Sequence, residues 1–392
     1  MTARLLLVAI WLAVCAFEAF ALEPRGTGDL AIVIERAQGA VAICETTART
    51  QLARVTGFGD LSHASAVFSR DGRYAYIFGR DGALTKLDLL THAIVKRVLQ
   101  AGNSIGGAIS SDGALVAVAN YVPGGVKVFD AATLDVVADV PSTAGADGVR
   151  AKVVGLEDGF GRRFMWSEFE NGRVRMLDLA AADTPRVSEL GYAGRQPYDA
   201  LVTPDGRDYI AGLFGEDGLV RVDLWAREPT VARFLAGYGG SELRLPVYKM
   251  PHLEGWSAAG EQLFLPAVGH HAVLVVDRRD WREIGRIATH GQPVFAVARP
   301  DGRQVWVNFA PPDNDIVQVI DVPSRTVIAE FSPGKAVLHI EFTPRGEQAW
   351  VSARDSDRVV VYDSASFARL AELAIDKPSG IFMSARAARL GF

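Results

Sequence analysis

The apolar positions of this chain follow one pattern that recurs along almost its whole length. A short apolar strand, a turn of the Asp-Gly type and a second apolar strand are followed by a third strand that ends in an acid. Residues 66–77 and 295–306 are two clear copies of the hairpin. Period-two alternation and Asp-Gly turns are typical of antiparallel hairpins, and no segment has a long helical stripe. The pattern therefore predicts an all-β fold.

The acid that ends each third strand gives the length of the repeat. Consecutive acids are 42 to 54 residues apart, and a four-stranded unit of ~40–50 residues has the size of a β-propeller blade. The acids are Glu45, Asp88, Asp130, Asp178, Asp223, Asp277, Asp321 and Asp363, and the turn glycines are Gly72, Gly113, Gly159, Gly206, Gly260, Gly302 and Gly346.

The eight acids outnumber the seven turn glycines, so one blade is divided between the two ends of the chain. We predict that residues 381–384 form its innermost strand and that residues 30–35, 40–44 and 51–55 form the other three. Such a closure removes the exposed edges of an open sheet. The predicted architecture is an eight-bladed β-propeller with four-stranded antiparallel blades.

Residues 1–21 predict a secretory signal outside this fold. Arg4 precedes an apolar stretch, and Ala19-Phe20-Ala21 form an A-x-A cleavage site. The stretch is too short for a transmembrane helix. We expect cleavage and export, which leaves residues 22–392 as a single soluble propeller. The alternative is a lipid anchor on Cys15, although Val14 fits poorly before a lipidated cysteine.

Composition and charge exclude several classes of protein. The chain has 392 residues, of which 49% are hydrophobic, and a formal net charge of −5. These values are those of a folded protein, and the acidic balance without a Lys/Arg run argues against a nucleic-acid partner. Two cysteines exclude a disulfide framework and a Cys-rich metal site. The glycine-rich run at 102–107 lacks the strand–loop–helix context of dinucleotide binding, so we do not expect NAD.

The predicted topology divides the polar residues between two rims. We name the upper rim the one formed by the blade-entry loops and by the loops between strands 2 and 3 of each blade. It collects several cations and histidines at one end of the central channel, which indicates an anionic ligand. His92 falls on the opposite, lower rim, and Arg80 with Asp81 has the simpler interpretation of a local ion pair. The upper-rim residues are His63, Asn103, Arg150, Arg195, Tyr198, His252, His290 and Lys335 in entry loops, and Arg80, Asp81, Tyr121, Glu168, Glu170, Asn308, Asp313, Arg354 and Asp355 in the others.

One of these segments carries a family resemblance. In residues 63–82 a histidine opens a strand, Gly72-Arg73-Tyr74 follows at the turn, and Gly79-Arg80-Asp81 ends the hairpin. This stretch resembles the surroundings of the proximal haem d1 ligand in cytochrome cd1 nitrite reductase, and the likeness continues blade by blade along the mature chain. With its signal segment, the chain is identified as a member of the exported haem d1 biogenesis proteins related to that d1 domain.

The resemblance implies roles for individual residues. His63 takes the place of the axial iron ligand, and Arg80 that of a cation that holds the macrocycle's carboxylates. His252 matches one of two distal histidines, whereas the second falls near Tyr198, which puts nitrite reduction in doubt. We expect Arg195, Asn103 and Tyr121 to contact the ligand from the same rim. No C-x-x-C-H occurs, so the chain has no c haem, unlike the related protein NirN.

These residues leave two classes of function open. In the first, the protein is a periplasmic oxidoreductase that acts on haem d1 or a dihydro-haem d1 precursor, with His252 or Tyr198 handling protons. In the second, it is a carrier that hands the tetrapyrrole to cytochrome cd1 nitrite reductase or NirN in transient complexes. A third alternative is a general protein-interaction platform that binds no tetrapyrrole.

Overall fold

The chain forms a ring of eight four-stranded antiparallel sheets, which confirms the predicted eight-bladed propeller. The structure is a computed structural model, and it describes residues 25–180, 185–236, 255–267 and 270–388. The predicted signal segment and His252 lie outside these residues. Within the described part, seven blades have their first strand in sequence at the central channel and their last strand at the periphery, and in the remaining blade the last strand of the chain takes the inner position.

The strands have the following bounds, each blade being given from the channel outward. Blade 1 contains β32 (Pro378–Met383), β1 (Leu30–Glu35), β2 (Ala40–Glu45) and β3 (Thr50–Thr56). Blade 2 contains β4 (Ser65–Phe68), β5 (Tyr74–Phe78), β6 (Ala83–Asp88) and β7 (Ala93–Leu99), and blade 3 contains β8 (Asn103–Ile109), β9 (Leu115–Val122), β10 (Gly125–Asp130) and β11 (Val136–Val140). Blade 4 contains β12 (Val153–Gly159), β13 (Arg163–Glu168), β14 (Arg173–Asp178) and β15 (Arg186–Tyr192).

The second half of the ring has the same organisation. Blade 5 contains β16 (Pro197–Val202), β17 (Asp208–Leu213), β18 (Leu219–Asp223) and β19 (Val231–Phe234), and blade 6 contains β20 (Ser257–Ala259), β21 (Gln262–Pro266), β22 (Ala272–Asp277) and β23 (Arg282–Ala288). Blade 7 contains β24 (Pro293–Ala298), β25 (Gln304–Phe309), β26 (Val317–Asp321) and β27 (Thr326–Phe331). Blade 8 contains β28 (Val337–Phe342), β29 (Gln348–Ala353), β30 (Arg358–Asp363) and β31 (Arg369–Ala374).

The turns between the first two strands lie on the lower rim, as predicted. In six blades the predicted glycine has a positive φ, for example 66° at Gly72 and 68° at Gly302, which a glycine adopts without steric cost. Blade 4 differs, because Gly159 is the last residue of β12 and the left-handed glycine is Gly161, with φ 71°. The turn is therefore displaced by two residues in this blade.

The ring is closed by antiparallel pairing of the last strand with the first. Ala31 pairs with Met383, Ile32 with Phe382 and Val33 with Ile381. β32 covers most of the predicted 381–384 segment and begins three residues earlier.

Large aromatic residues fill the space between blades. The Trp306 ring of blade 7 packs edge-on against Phe342 of blade 8, with ring centroids 5.6 Å apart, and its indole N–H donates to Gln304 at 3.0 Å. Trp166 and Trp350 are also fully buried. Edge-to-face pairs of this kind add about 0.5–1.5 kcal/mol to the burial of the rings, so neighbouring blades are firmly joined.

A short 3₁₀ helix, η1 (Arg354–Ser356), lies on the upper rim, and a second, η2 (Ser384–Ala388), follows β32 at the lower end of the channel. The Arg386 guanidinium makes two hydrogen bonds to Glu341, at 2.8 and 2.6 Å, and both side chains are buried. Arg70 donates to the Ala387 carbonyl. Removing one member of a buried ion pair typically costs about 3–5 kcal/mol, so this contact fixes the end of the chain to blades 2 and 8.

His339 gives the fold a testable dependence on pH. Its side chain is 1% exposed in β28, lies between Phe295 and Phe382, and its Nδ1 accepts the Ile381 N–H at 2.9 Å. Burial lowers the pKa of this imidazole from 6.5 to about 4. The unfolded chain therefore binds the proton more readily, so stability is complete above about pH 6.5 and falls as the pH drops towards 4.

We expect acidification from pH 7 to 4.5 to lower the free energy of unfolding by about 2–3 kcal/mol through this residue. His339→Asn keeps an acceptor for Ile381 but has no titrating ring, so its unfolding free energy should change much less over the same range. Urea unfolding at a series of pH values measures both slopes. Equal slopes in the two proteins would show that His339 does not titrate as described.

Candidate functional site

The topology brings four of the sequence-predicted site residues to the upper rim. His63 lies in the loop that enters blade 2, and Arg80 follows β5 in the loop to β6. Tyr121 is near the end of β9, and Tyr198 lies at the beginning of β16. These four residues come from blades 2, 3 and 5, so the arrangement of neighbouring blades in the ring places them on one surface.

Asp60 interacts with both His63 and Arg80. The Arg80 N–H donates to the Asp60 carbonyl at 2.8 Å, and the Ser62 N–H donates to the Asp60 carboxylate at 2.8 Å. Partial burial opposes ionisation of Asp60, but the Ser62 hydrogen bonds and the charges of Arg80 and His63 outweigh it and lower the pKa of the carboxyl. The carboxylate therefore stays ionised and helps to fix the loop that carries His63.

Arg80 does not form the local ion pair with Asp81 that the sequence allows. Asp81 is instead paired with Arg97 of the outermost strand, β7. The half-buried Arg80 guanidinium lies 5.9 Å from the centroid of the Tyr121 ring, and no salt bridge joins it to any described residue. A guanidinium held by a ring face keeps its donors available for a carboxylate.

Two tyrosine hydroxyls meet next to this cation. The oxygens of Tyr121 and Tyr198 are 3.4 Å apart, and the Tyr198 ring contacts Phe169 and Phe214 with centroids 5.7 and 5.9 Å away. Burial raises the pKa of both phenols, and the neighbouring hydroxyl raises that of Tyr121 further. Both phenols are therefore protonated at neutral pH, and the Tyr121 hydroxyl donates to that of Tyr198.

Lys152, Phe169 and Phe214 escape sequence analysis, because isolated loop residues form no pattern. The Lys152 ammonium lies 5.9 Å from the Tyr121 ring centroid and 5.5 Å from that of Phe169, and it pairs with Glu170 at 2.7 Å. We name as the rim cluster the residues Arg80, Tyr121, Lys152, Phe169, Tyr198 and Phe214.

Two more arginines lie on blades 1 and 8 of the upper rim. Burial and the nearby Arg354 lower the pKa of Arg36, although Asp60 and Asp355 oppose this effect. Arg354 itself makes two hydrogen bonds to Asp355, at 2.8 and 3.0 Å. The arginines therefore add positive charge beside the Asp60 loop, partly balanced by these acids.

The remaining candidates differ in their surroundings. Asn103 begins β8, and its Oδ1 is a buried acceptor with no hydrogen-bond partner in the described part of the chain. Arg195 is exposed, and its backbone N–H donates to Glu216 at 2.7 Å. Asn103 thus offers an open acceptor, whereas Arg195 offers a solvated cation at the edge of the rim. His252 lies outside the described residues.

Two residues predicted to lie in upper-rim loops are in fact structural. Glu168 is the buried last residue of β13, where it pairs with Arg175 at 3.0 Å and accepts the Thr143 N–H. Asn308 is buried in β25 and joins two inner strands, because it accepts the Phe295 N–H at 3.0 Å and donates to the Val337 carbonyl at 2.9 Å. Both strands extend further towards the rim than the sequence pattern indicates.

A polar cavity continues down the central channel. Inner strands of blades 2 to 5 line it, and β32 and η2 contribute Phe382 and Arg386. Its acidic lining residues are Glu157 and Asp199, both nearly buried. Among the described residues, no group of three or more His, Cys, Asp or Glu side chains could hold a metal ion by itself. The arrangement instead suits a flat, anionic ligand that stacks on rings and offers carboxylates to cations.

Comparisons with known proteins agree with this chemistry. The family model described as cytochrome D1 heme domain matches residues 25–387. Protein NirF of Stutzerimonas stutzeri is 57% identical over 389 residues, which cover 99% of this chain and 98% of that protein. Protein NirF of Pseudomonas aeruginosa is 58% identical over 369 residues, which cover 94% of each chain.

A solved structure shares both the fold and part of the sequence. It is dihydro-heme d1 dehydrogenase NirN in complex with DHE, with a TM-score of 0.80 and 25% identity. The match covers 93% of this chain and 78% of that one.

The two buried phenols of the rim cluster give a first test of its geometry. We expect Tyr121→Phe and Tyr198→Phe to leave the rise in absorbance at 295 nm near the ordinary tyrosine midpoint of about pH 10 unchanged, because burial raises the pKa of both phenols above that midpoint. Spectrophotometric titration of the folded variants measures this. Loss of one phenolate equivalent in either variant around that pH would contradict the burial of the pair.

Proposed function

This chain belongs to the cytochrome D1 heme domain family, and we propose that it acts in haem d1 biogenesis by binding a late, iron-containing precursor of haem d1 on its upper rim. The family membership confirms the resemblance drawn from residues 63–82. The close similarity to the NirF proteins over nearly the full chain supports placing it among the biogenesis proteins.

The observation that carries the proposal is the rim cluster beside His63. Four aromatic rings and two cations from blades 2 to 5 meet there within contact distance of one another. A tetrapyrrole offers a flat face for such rings and carboxylates for such cations. The NirN structure, which has the same fold, holds its DHE ligand, and this supports a tetrapyrrole as the ligand class here.

In this proposal each residue has one task. His63 ligates the iron of the bound tetrapyrrole, and Arg80, with Arg195 at the rim, holds its carboxylates. Asn103 and Tyr121 contact the macrocycle or its substituents. Tyr198 and His252 move protons on the distal side, where the high pKa of Tyr198 makes it a donor rather than a base.

The proposed chemistry is the oxidation of a dihydro precursor. Conversion of a C–C single bond into a double bond removes two C–H hydrogens as two protons and two electrons. The protons leave through the distal residues, and the electrons pass in two steps to an external one-electron acceptor such as a c-type cytochrome. The alternative is a carrier, which binds the same tetrapyrrole unchanged and hands it to cytochrome cd1 nitrite reductase or NirN.

We also propose a periplasmic location, with residues 1–21 as a cleaved signal. The motivation is the apolar stretch followed by Ala19-Phe20-Ala21. In the part of the chain that the structure describes, no helix has the length and apolar character needed to cross a membrane. Mass determination of the protein isolated from cells distinguishes a mature chain that begins at Leu22 from one lipidated on Cys15.

Visible-light titration with haem d1 and with its dihydro precursor tests the site. We expect His63→Ala to alter the spectrum of the bound iron and Arg80→Gln to weaken binding about 10- to 100-fold, since a charge-assisted hydrogen bond contributes about 1.5–3 kcal/mol. His92→Asn, on the lower rim, is the matched control and should resemble wild type. An unchanged spectrum and affinity in His63→Ala would refute iron ligation.

The mass of the ligand after incubation separates the enzyme from the carrier. Wild-type protein with dihydro precursor and an added one-electron acceptor should yield a product lighter by two hydrogens, and Tyr198→Phe should slow its formation. Tight binding with an unchanged ligand mass would favour the carrier.

A further inference from the structure

Glu170 contacts both the side-chain ammonium and the backbone N–H of Lys152, a residue of the rim cluster. Its Oε1 lies 2.7 Å from the Lys152 ammonium, and its Oε2 accepts the backbone N–H of the same residue at 2.7 Å. The Glu170 carboxylate therefore accepts hydrogen bonds from both the side chain and the backbone of Lys152. The ammonium is thereby matched with an acid of the protein itself.

Lys152 lies where it could serve the same ligand as Arg80. The Lys152 ammonium and the Arg80 guanidinium are each 5.9 Å from the centroid of one ring, that of Tyr121. Lys152 also lies over Phe169, which contacts Tyr198. The two cations thus flank one aromatic surface, and among the described residues Lys152 forms a salt bridge whereas Arg80 forms none.

The pair between Lys152 and Glu170 is of the kind that a ligand can replace. Its side chains are 44% and 46% exposed, and ion pairs as exposed as this contribute little to stability. When a flat ligand stacks on the rings, its carboxylate approaches the Lys152 ammonium in less hydrated surroundings. The attraction between these two charges is stronger there than in water. The exchange of one carboxylate for the other therefore has a small cost.

We propose that Lys152 is a second carboxylate-binding residue of the site and that Glu170 occupies it until a carboxylated ligand arrives. This rests on the proposed function. Ligand binding exchanges the Glu170 carboxylate for that of the ligand, and release of the ligand restores the original pair. Glu170 thus lowers the affinity for carboxylated ligands and provides an internal group that assists their departure.

The alternative role of Glu170 is to order the loop that carries Lys152, through the bond to the backbone N–H. The variant Glu170→Gln separates the two roles, because an amide oxygen can still accept that N–H whereas the charge is lost. Lys152→Met removes the ammonium and keeps the apolar stem that lies along the rings.

The experiment compares two probes on the full mature protein by visible-light titration: an iron porphyrin with two free carboxylates and its dimethyl ester. We expect Glu170→Gln to bind the dicarboxylate about two- to fivefold more tightly than wild type, and Lys152→Met to bind it about five- to tenfold more weakly. Neither variant should alter the affinity for the ester. Asp135→Asn breaks the exposed pair with Lys96 on blades 2 and 3 and is the matched control, with no expected effect on either probe.

The outcomes distinguish this inference from the function on which it rests. Wild-type protein that binds neither haem d1 nor either porphyrin refutes the proposed function and this inference with it. Wild-type binding with both variants unchanged towards both probes overturns the exchange and leaves the proposed function intact. Weaker binding of both probes to Glu170→Gln would show a structural role for Glu170 and would also overturn the exchange.

Discussion

The antiparallel pairing of β32 with β1 is the contact on which the rest of the molecule depends. It joins residues from the two ends of the chain, as in the pair of Val33 with Ile381, and completes blade 1 as a four-stranded sheet like the other seven. The buried ion pair of Arg386 with Glu341 and the bond from Arg70 to Ala387 hold the same end of the chain in place. A closed ring fixes the angle between neighbouring blades, because no blade can turn without displacing all the others.

This rigidity explains how a site arises from residues that share no local pattern. Arg80, Tyr121, Lys152 and Tyr198 come from blades 2, 3, 4 and 5, and the contacts between them all cross from one blade to another. No single blade holds enough of these groups to bind a ligand. The loops carry the functional side chains, and the rigid arrangement of the blades fixes the distances between these side chains.

The repeat made the fold predictable, because turn glycines and strand-ending acids mark each blade in the sequence. The topology of a blade also placed His63, Arg80, Tyr121 and Tyr198 on one rim without any knowledge of distances. It could not show which side chains meet there: Lys152 was missed because one lysine in a loop resembles any other. Glu168 and Asn308 were misplaced because both strands continue into residues whose polarity is typical of loops. Both residues were predicted to be exposed to solvent, but each is buried and satisfied by hydrogen bonds within the protein.

The charge distribution determines what kind of recognition is possible on this rim. The chain as a whole has a net charge of −5, so long-range attraction does not favour an anionic ligand. Salt screens exposed charges beyond about 8–10 Å in any case, and recognition must come from groups in contact with the ligand. Arg80 and Lys152, both set against the Tyr121 ring, are cations of this short-range type. Asp60, Glu170 and Asp355 stand beside these and the neighbouring cations and partly balance their charge. In the proposed function, a ligand carboxylate therefore gains most where the ligand also stacks on the rings, which favours a flat anion over anions in general.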